Sequence, residues 1–303
     1  MTPPRTTSCF TRALITLAML FATSVASAEG ERIVAVGGAL TEIFYALERQ
    51  DRLVAVDTTS LYPTRALTDK PNVGYFRSLS AEGVLSVRPS LVVALQGAGP
   101  PPAIRSLADA GVRIVTVADT PSSEGVGAKI EAVGGVADAS EAAARLAADV
   151  RARFEALAAL RAGISKRRRA LFVLALQNGR PLVGGRGTAA DAIIALAGGE
   201  NVAADIDGYK PMTLEAVAAA APETIVMMGS DAGGAPDILS LPGFSTTPAA
   251  SARSLFVRDG LYLIGFGPRA PDAARELMAA FYPDLQPSAP ETATGAAPQD
   301  ERR

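Results

Sequence analysis

The sequence predicts an α/β protein: two Rossmann-like α/β lobes joined by one long α-helix, with a ligand cleft between the lobes. Three observations predict it. Short apolar runs alternate with helical segments, one long helical stripe interrupts that alternation, and a loop–helix pattern in the first half recurs in the second. With 303 residues, 49% of them hydrophobic and 20% charged, the chain has enough apolar material for a core of that size.

The first segment reads as an address. Arg5 and Arg12 precede the apolar run from Ala13 to Ala22, and Ala26-Ser27-Ala28 resembles a signal-peptidase site. That layout predicts a secretory signal peptide over residues 1–28 and a product exported to the periplasm. The uncharged stretch Ala13–Ala28 is short for a membrane span. Cys9, the only cysteine, lies ahead of the apolar run and would leave with the peptide.

An N-terminal lobe is expected over residues 29–139. Arg32–Val36 reads as a buried strand followed by the turn Gly37-Gly38, and Thr41–Leu47 as helix. Leu53–Val56, Leu91–Leu95 and Arg113–Val117 read as further strands, with Ile104–Ala110 in a helix between the last two. Strands separated by helices imply βαβ units and a parallel sheet.

The linking helix is expected over residues 140–165. Within Ser140–Arg161, Leu146, Val150, Phe154, Leu157 and Leu160 form an apolar stripe, while Glu141/Arg145 and Asp149/Arg153 support the opposite face at i,i+4. A rod of this length spans roughly 33 Å, enough to run along a whole lobe. Lys166-Arg167-Arg168-Arg169 reads as a solvated bend. In the C-terminal lobe, residues 166–282, Leu171–Leu176, Thr224–Met228 and Leu255–Val257 read as strands, and Thr188–Ala197 and Pro271–Phe281 as helices. Residues 283–303 are rich in Pro, Ala and Thr and read as a disordered tail.

The two halves echo each other. Leu79-Ser80-Ala81-Glu82 aligns with Met212-Thr213-Leu214-Glu215 at a constant offset of 133, and the match continues to Pro89 and Pro222. Each copy has a Ser or Thr at the N-cap and a Glu in the first turn, where the helix dipole favours negative charge. Each is preceded by a glycine–tyrosine pair and a cation: Gly74-Tyr75-Phe76-Arg77 and Gly208-Tyr209-Lys210.

Composition narrows the chemistry. The chain has no histidine, which excludes His-dependent triads, His-bearing zinc sites and a His ligand to haem. Basic and acidic residues nearly balance, 29 against 31, so no basic field for nucleic acid is present. Serines lack a histidine partner and no G-x-S-x-G elbow occurs, which weakens a periplasmic enzyme reading. Gly184-Gly185-Arg186-Gly187-Thr188 lacks the spacing and lysine of a P-loop and reads as a turn before a helix. The tyrosines carry more. A phenolate is a hard oxygen donor suited to ferric iron, and tyrosine is a known haem ligand. Its formation needs help from the metal and a nearby cation. Arg77, two residues from Tyr75, is placed to supply that cation, although spacing alone also fits a packing tyrosine.

The segment Val73-Gly74-Tyr75-Phe76-Arg77-Ser78-Leu79-Ser80-Ala81-Glu82-Gly83 resembles the signature of haem-specific periplasmic binding proteins of ABC transporters. Gly37-Gly38-Ala39-Leu40-Thr41-Glu42-Ile43, Gly208-Tyr209-Lys210-Pro211 and the run Asp259 to Pro268 support it, and the likeness extends from about Arg32 to Tyr282. The scaffold is shared with cobalamin and siderophore binders; only the Gly-Tyr-x-Arg segment is specific.

The resemblance implies ferric haem held in the cleft as a transported ligand, by a monomer. Tyr75 matches the axial tyrosine and Arg77 the arginine beside it. Tyr209 and Lys210 would face the cleft from the second lobe, with Lys210 or Arg186 pairing with a propionate. Glu82 and Glu215 match the lobe-tip glutamates that dock onto a permease dimer in the inner membrane. Some relatives add a histidine ligand; this chain has none, so a His-ligated second haem is out of reach.

Overall fold

A computed structural model describes residues 31–229 and 237–285. The expected signal peptide and residues 286–303 of the expected tail lie outside the described residues, while Pro283–Leu285 form a 3-10 turn.

The first lobe contains β1 (Ile33–Val36), α1 (Gly38–Ala46), β2 (Leu53–Val56), α2 (Ala66–Asp69), α3 (Ala81–Leu85), β3 (Leu91–Leu95), α4 (Pro101–Asp109), β4 (Arg113–Val117) and α5 (Ser123–Val136). Its four strands pair in the order β2-β1-β3-β4, every pair parallel. The strands are Val-, Ile- and Leu-rich because helices cover both faces of the sheet; β1 and β3 are buried along their whole length. Edge strand β4 instead exposes Arg113 and Thr116.

Helix α6 (Ser140–Ala162) then runs to the second lobe. The expected ion pairs form, Arg145 to Glu141 at 2.5 Å and Arg153 to Asp149 at 3.0 Å. The stripe needs one correction. Ala143 and Ala147 are buried beside Val150, Phe154 and Leu157, whereas Leu160 is exposed. Small alanines let α6 lie close to its neighbours, and the seam ends before the last turn.

The second lobe contains β5 (Arg169–Gln177), β6 (Arg180–Gly184), α7 (Ala189–Leu196), β7 (Glu200–Asn201), β8 (Tyr209–Pro211), α8 (Leu214–Ala220), β9 (Thr224–Met228), α9 (Pro248–Ala252), β10 (Leu255–Arg258), α10 (Gly260–Ile264) and α11 (Ala270–Phe281). The expected parallel pattern holds only for part of it. Strands β9 and β10 run parallel, as do β5 and β9, but β6 is antiparallel to both β5 and β8. The sheet is therefore mixed, in the order β10-β9-β5-β6-β8. The reversal is made at Asn178-Gly179, where φ values of 51° and 75° suit the two-residue hairpin turn that follows the strand twist.

The basic run is not simply solvated either. Arg168 donates its backbone N–H to the Tyr282 hydroxyl at 2.7 Å and its guanidinium to the Phe281 carbonyl. Arg169 opens β5 and pairs with Glu200 at 3.2 Å.

One hydrophobic core runs beneath both sheets. It joins Ile33, Val93 and Leu95 of the first lobe to Phe172, Val226 and Phe256 of the second, through Phe154 and Leu157 of α6 and Phe281 of α11. Arg153 of α6 adds an ion pair with Asp272 of α11 at 2.8 Å. The lobes are thus held by shared packing as well as by a covalent link.

Candidate functional site

In open α/β sheets, ligands bind beyond the carboxyl ends of the strands. Here those ends carry the loops that hold the tyrosines. The segment before α3 is tied to the sheet at both sides. Val73 donates to the Val56 carbonyl at 2.9 Å, Thr58 donates to the Gly74 carbonyl at 2.9 Å, and Gly99 donates to the Phe76 carbonyl at 2.9 Å. Gly74 takes a φ of +98°, a conformation that a side chain would strain, and this turns the chain so that Tyr75 projects. The Tyr75 ring is 45% exposed although the backbone beneath it is fixed.

Phe76 stands between its neighbours. The Tyr75 ring meets it edge-on at 5.2 Å between centroids, and the Arg77 guanidinium lies 5.0 Å from the same ring. Arg77 also acts across the cleft, where its charge reaches Tyr209 of the second lobe.

Tyr209 is set differently. It opens β8 beside Gly184 of β6, where a Cβ would come within 3.2 Å of the tyrosine ring and 2.4 Å of the Ala190 methyl. A side chain there would collide with the Ala190 methyl and crowd the ring. Burial pushes the Tyr209 phenol above its ordinary pKa. Hydrogen bonding by the Ala190 N–H at the start of α7 and by the Thr188 hydroxyl opposes this, as does the charge of Arg77; Asp119 reinforces it. Burial outweighs the rest. Asp119 follows β4 and is held at 2.6 Å by Lys129, a fully buried lysine of α5. Arg77 and Asp119 thus bear on the Tyr209 phenol with opposite signs, both weaker than burial.

The other expected residues are placed as follows. Lys210 is exposed, and strand alternation sends it to the face opposite Tyr209. Arg186 forms an exposed ion pair with Asp207 at 2.8 Å. Its backbone joins the same loop, donating to Ile206 at 2.7 Å and accepting from Gly208 at 3.0 Å. Gly184–Thr188 is the expected turn, ended by Thr188, whose side chain accepts from Asp191 as the N-cap of α7. Glu82 and Glu215 are both exposed in first turns, behind caps in which Ser80 accepts from Gly83 and Thr213 from Ala216. The backbone N–H of Glu215 itself and the Thr213 hydroxyl hold the Glu215 carboxyl below the usual range.

Sequence reasoning missed Asp119 and Lys129, Tyr62, and the pair Glu42 and Arg269, which bond across 227 positions. Glu42 did leave a trace: it is a lone carboxylate inside the apolar run Gly38–Ala46. Among the described residues, no cluster of His, Cys, Asp and Glu is arranged to hold a metal ion, and no helix is long and apolar enough to cross a membrane.

Two α/β lobes on one helix, with facing loops at their strand ends, define a solute receptor. The profile of the periplasmic binding protein family matches residues 33–260, and the chain belongs to that family. Among solved structures it is similar to the periplasmic haem-binding protein RhuT from Roseiflexus sp. RS-1 in apo form. That match is 38% identical with a TM-score of 0.79, covering 85% of this chain and all of the other. It is also similar to the periplasmic haem-binding protein BhuT in complex with two haems. There the identity is 40% and the TM-score 0.78, over 84% of this chain and 99% of the other. The ABC transporter substrate-binding lipoprotein YvrC of Bacillus subtilis (strain 168), itself uncharacterised, is 28% identical over 259 residues. This covers 84% of this chain and 81% of YvrC.

Proposed function

We propose that this protein captures ferric haem in the periplasm and delivers it to an inner-membrane ABC transporter, acting as a monomeric carrier rather than an enzyme. The observation that carries the reading is the exposed Tyr75 ring on a loop pinned to the sheet edge, in a chain without histidine. Its likeness to haem-binding receptors supports the ligand.

In this reading the Tyr75 phenolate is the axial ligand to the iron, and Arg77 lowers the cost of forming it. Apolar contact with the porphyrin faces supplies most of the affinity. Arg77 attracts the propionates, and Arg186 joins it by exchanging Asp207 for a propionate, whereas Lys210, on the other face of β8 from Tyr209, is left out of the contact. Tyr209 lines the second wall with its phenol turned to the start of α7. Glu82 and Glu215 dock one on each half of a permease dimer, where surface charge guides encounter more than it adds affinity. The shared core resists large lobe rotation, so release falls to the permease prying the lobes apart.

Absorbance titration with ferric haem tests this. Wild-type protein is expected to give a shifted Soret band and the charge-transfer band of phenolate ligation, both lost in Tyr75→Phe. Binding of cobalamin or a ferric siderophore with no haem spectrum would reassign the cleft.

A further inference from the structure

Four large hydrophobic side chains are exposed among the described residues, and three of them lie on adjoining loops: Leu61, Tyr62 and Tyr75. The loop after β2 that carries Leu61 and Tyr62 is bonded to the Tyr75 loop through Thr58 and Gly74 at 2.9 Å. Clustered exposed apolar groups on a fixed backbone mark a binding surface.

That loop is held firmly. Asp57, fully buried, accepts from the Gly37 N–H at 2.9 Å and the Ser60 hydroxyl at 3.1 Å through one oxygen. Its other oxygen accepts from the Thr59 N–H at 3.0 Å and the Thr59 hydroxyl at 2.7 Å.

Tyr62 has a second anchor from the opposite lobe. The Arg269 guanidinium lies 3.5 Å from the centroid of the Tyr62 ring and covers one face of it. Tyr262 lies 5.2 Å from the same guanidinium. Arg269 is in turn gripped by Glu42 of α1, which accepts from its backbone N–H at 3.1 Å and from Nη2 at 2.9 Å. Glu42 is only 4% exposed, so this is an ion pair buried between the lobes. The Nε of Arg269 is buried without a hydrogen-bond partner. A planar guanidinium can hydrogen-bond at its edge and stack with its face, and Arg269 does both: Nη2 holds Glu42 while the face covers the Tyr62 ring. Tyr62 keeps 42% of its surface open.

We propose that Tyr62 is a second ligand-contacting residue, a flat wall beside Tyr75 for a planar conjugated macrocycle, with Arg269 as its positioning residue held by Glu42. This rests on the reading of the cleft as a macrocycle site. It also gives the contact a mechanical meaning. Arg269 and Glu42 come from different lobes, so separating the lobes withdraws the support from Tyr62 and loosens the wall.

The test titrates ferric haem and, separately, cyanocobalamin into wild type, Tyr62→Phe, Tyr62→Ala, Arg269→Lys and the Tyr62→Ala/Arg269→Lys double variant, with thermal unfolding as a folding control. Lysine keeps the charge opposite Glu42 but cannot stack as a plane. Tyr62→Ala is expected to weaken binding roughly tenfold, the scale of one lost aromatic contact, with the phenolate band intact. Tyr62→Phe should restore near wild-type affinity. Arg269→Lys should weaken binding about threefold to tenfold, and the double variant no more than Tyr62→Ala alone. Unchanged affinity in Tyr62→Ala, or fully additive losses in the double variant, overturns the proposal. Wild type that takes up cyanocobalamin but no haem refutes the haem reading alone; uptake of neither refutes both.

Discussion

Tyr75 and Tyr209 occupy matching places in the two halves: each follows a glycine of positive φ and precedes a helix capped by Ser or Thr. Their surroundings are opposed. The first lobe is an all-parallel sheet whose loops emerge at one edge, and Tyr75 rides there on a tethered but unpaired segment. In the second lobe the hairpin at Asn178-Gly179 makes the sheet mixed, and the tyrosine is drawn into it as the first residue of β8. Its ring packs beside Gly184 and its phenol faces the start of α7. A repeated motif fixes the cap and the turn; the sheet around it decides whether the phenol is available to a ligand.

The contrast breaks most sharply in ferric haem binding. Tyr75→Phe should lose on the order of 100-fold in affinity, about 2.7 kcal/mol, together with its phenolate spectrum. Tyr209→Phe should stay within about threefold and keep that spectrum. Equal losses would give both tyrosines the same role and remove the distinction drawn from their burial.

The next effect restores symmetry. Glu82→Lys and Glu215→Lys, both on exposed first turns, should each lower uptake through the membrane-bound transporter about tenfold while leaving haem affinity in solution unchanged. Transport assays in vesicles set beside titrations of the free protein separate the two. A loss confined to one glutamate would mean that the halves dock unequally.

Much of this is legible in the sequence. The strands at Leu53–Val56, Leu91–Leu95 and Thr224–Met228 stand where their apolar runs placed them, because strands buried on both faces need no alternation, and the half-exposed edge strand Arg113–Val117 stands where its β-branched run placed it. The repeated caps were readable because their signals are local. Helix α5 was not read: Gly125, Gly127, Gly134 and Gly135 dilute its propensity, and its stability comes from packing on α1 and α6. The hairpin was missed although Asn178-Gly179 announces it, since the expectation of a parallel sheet overrode a two-residue signal. Of the site, Tyr75 and Arg77 were visible through one contiguous segment. Their relation was not: Phe76 stands between them, meeting the Tyr75 ring edge-on and the Arg77 guanidinium at 5.0 Å. Lys129 with Asp119, and Glu42 with Arg269, are pairs made by the fold, so nothing in either local sequence names the partner.

The equivalence of the two helix starts can be sharpened on a smaller scale. Ser80→Ala and Thr213→Ala each remove a side-chain acceptor for an N–H of the first turn, at 3.3 Å and 3.2 Å respectively. Each should cost about 1 kcal/mol in denaturant unfolding, with glycine in the same place costing only a few tenths. A cost at one cap and none at the other would mean that the repeat survives in sequence but not in energetics.

The smallest expected effect concerns the buried phenol alone. Burial raises Tyr209 above the ordinary value near 10, so above that pH the folded chain still holds a proton that the unfolded chain has released. With more protons bound in the folded state, stability must fall as pH rises from about 10 through the raised value, and its contribution is complete below that window. Burial acts in the same direction at Tyr45 and Tyr262, so the decline is shared. Tyr209→Phe removes one share, and unfolding measured across this range should show a shallower fall than wild type. An unchanged slope would mean that the Ala190 N–H, the Thr188 hydroxyl and Arg77 together offset burial. Tyr209 would then be as ready to ionise as a free phenol, and its phenolate would be available as a second iron ligand from the C-terminal lobe.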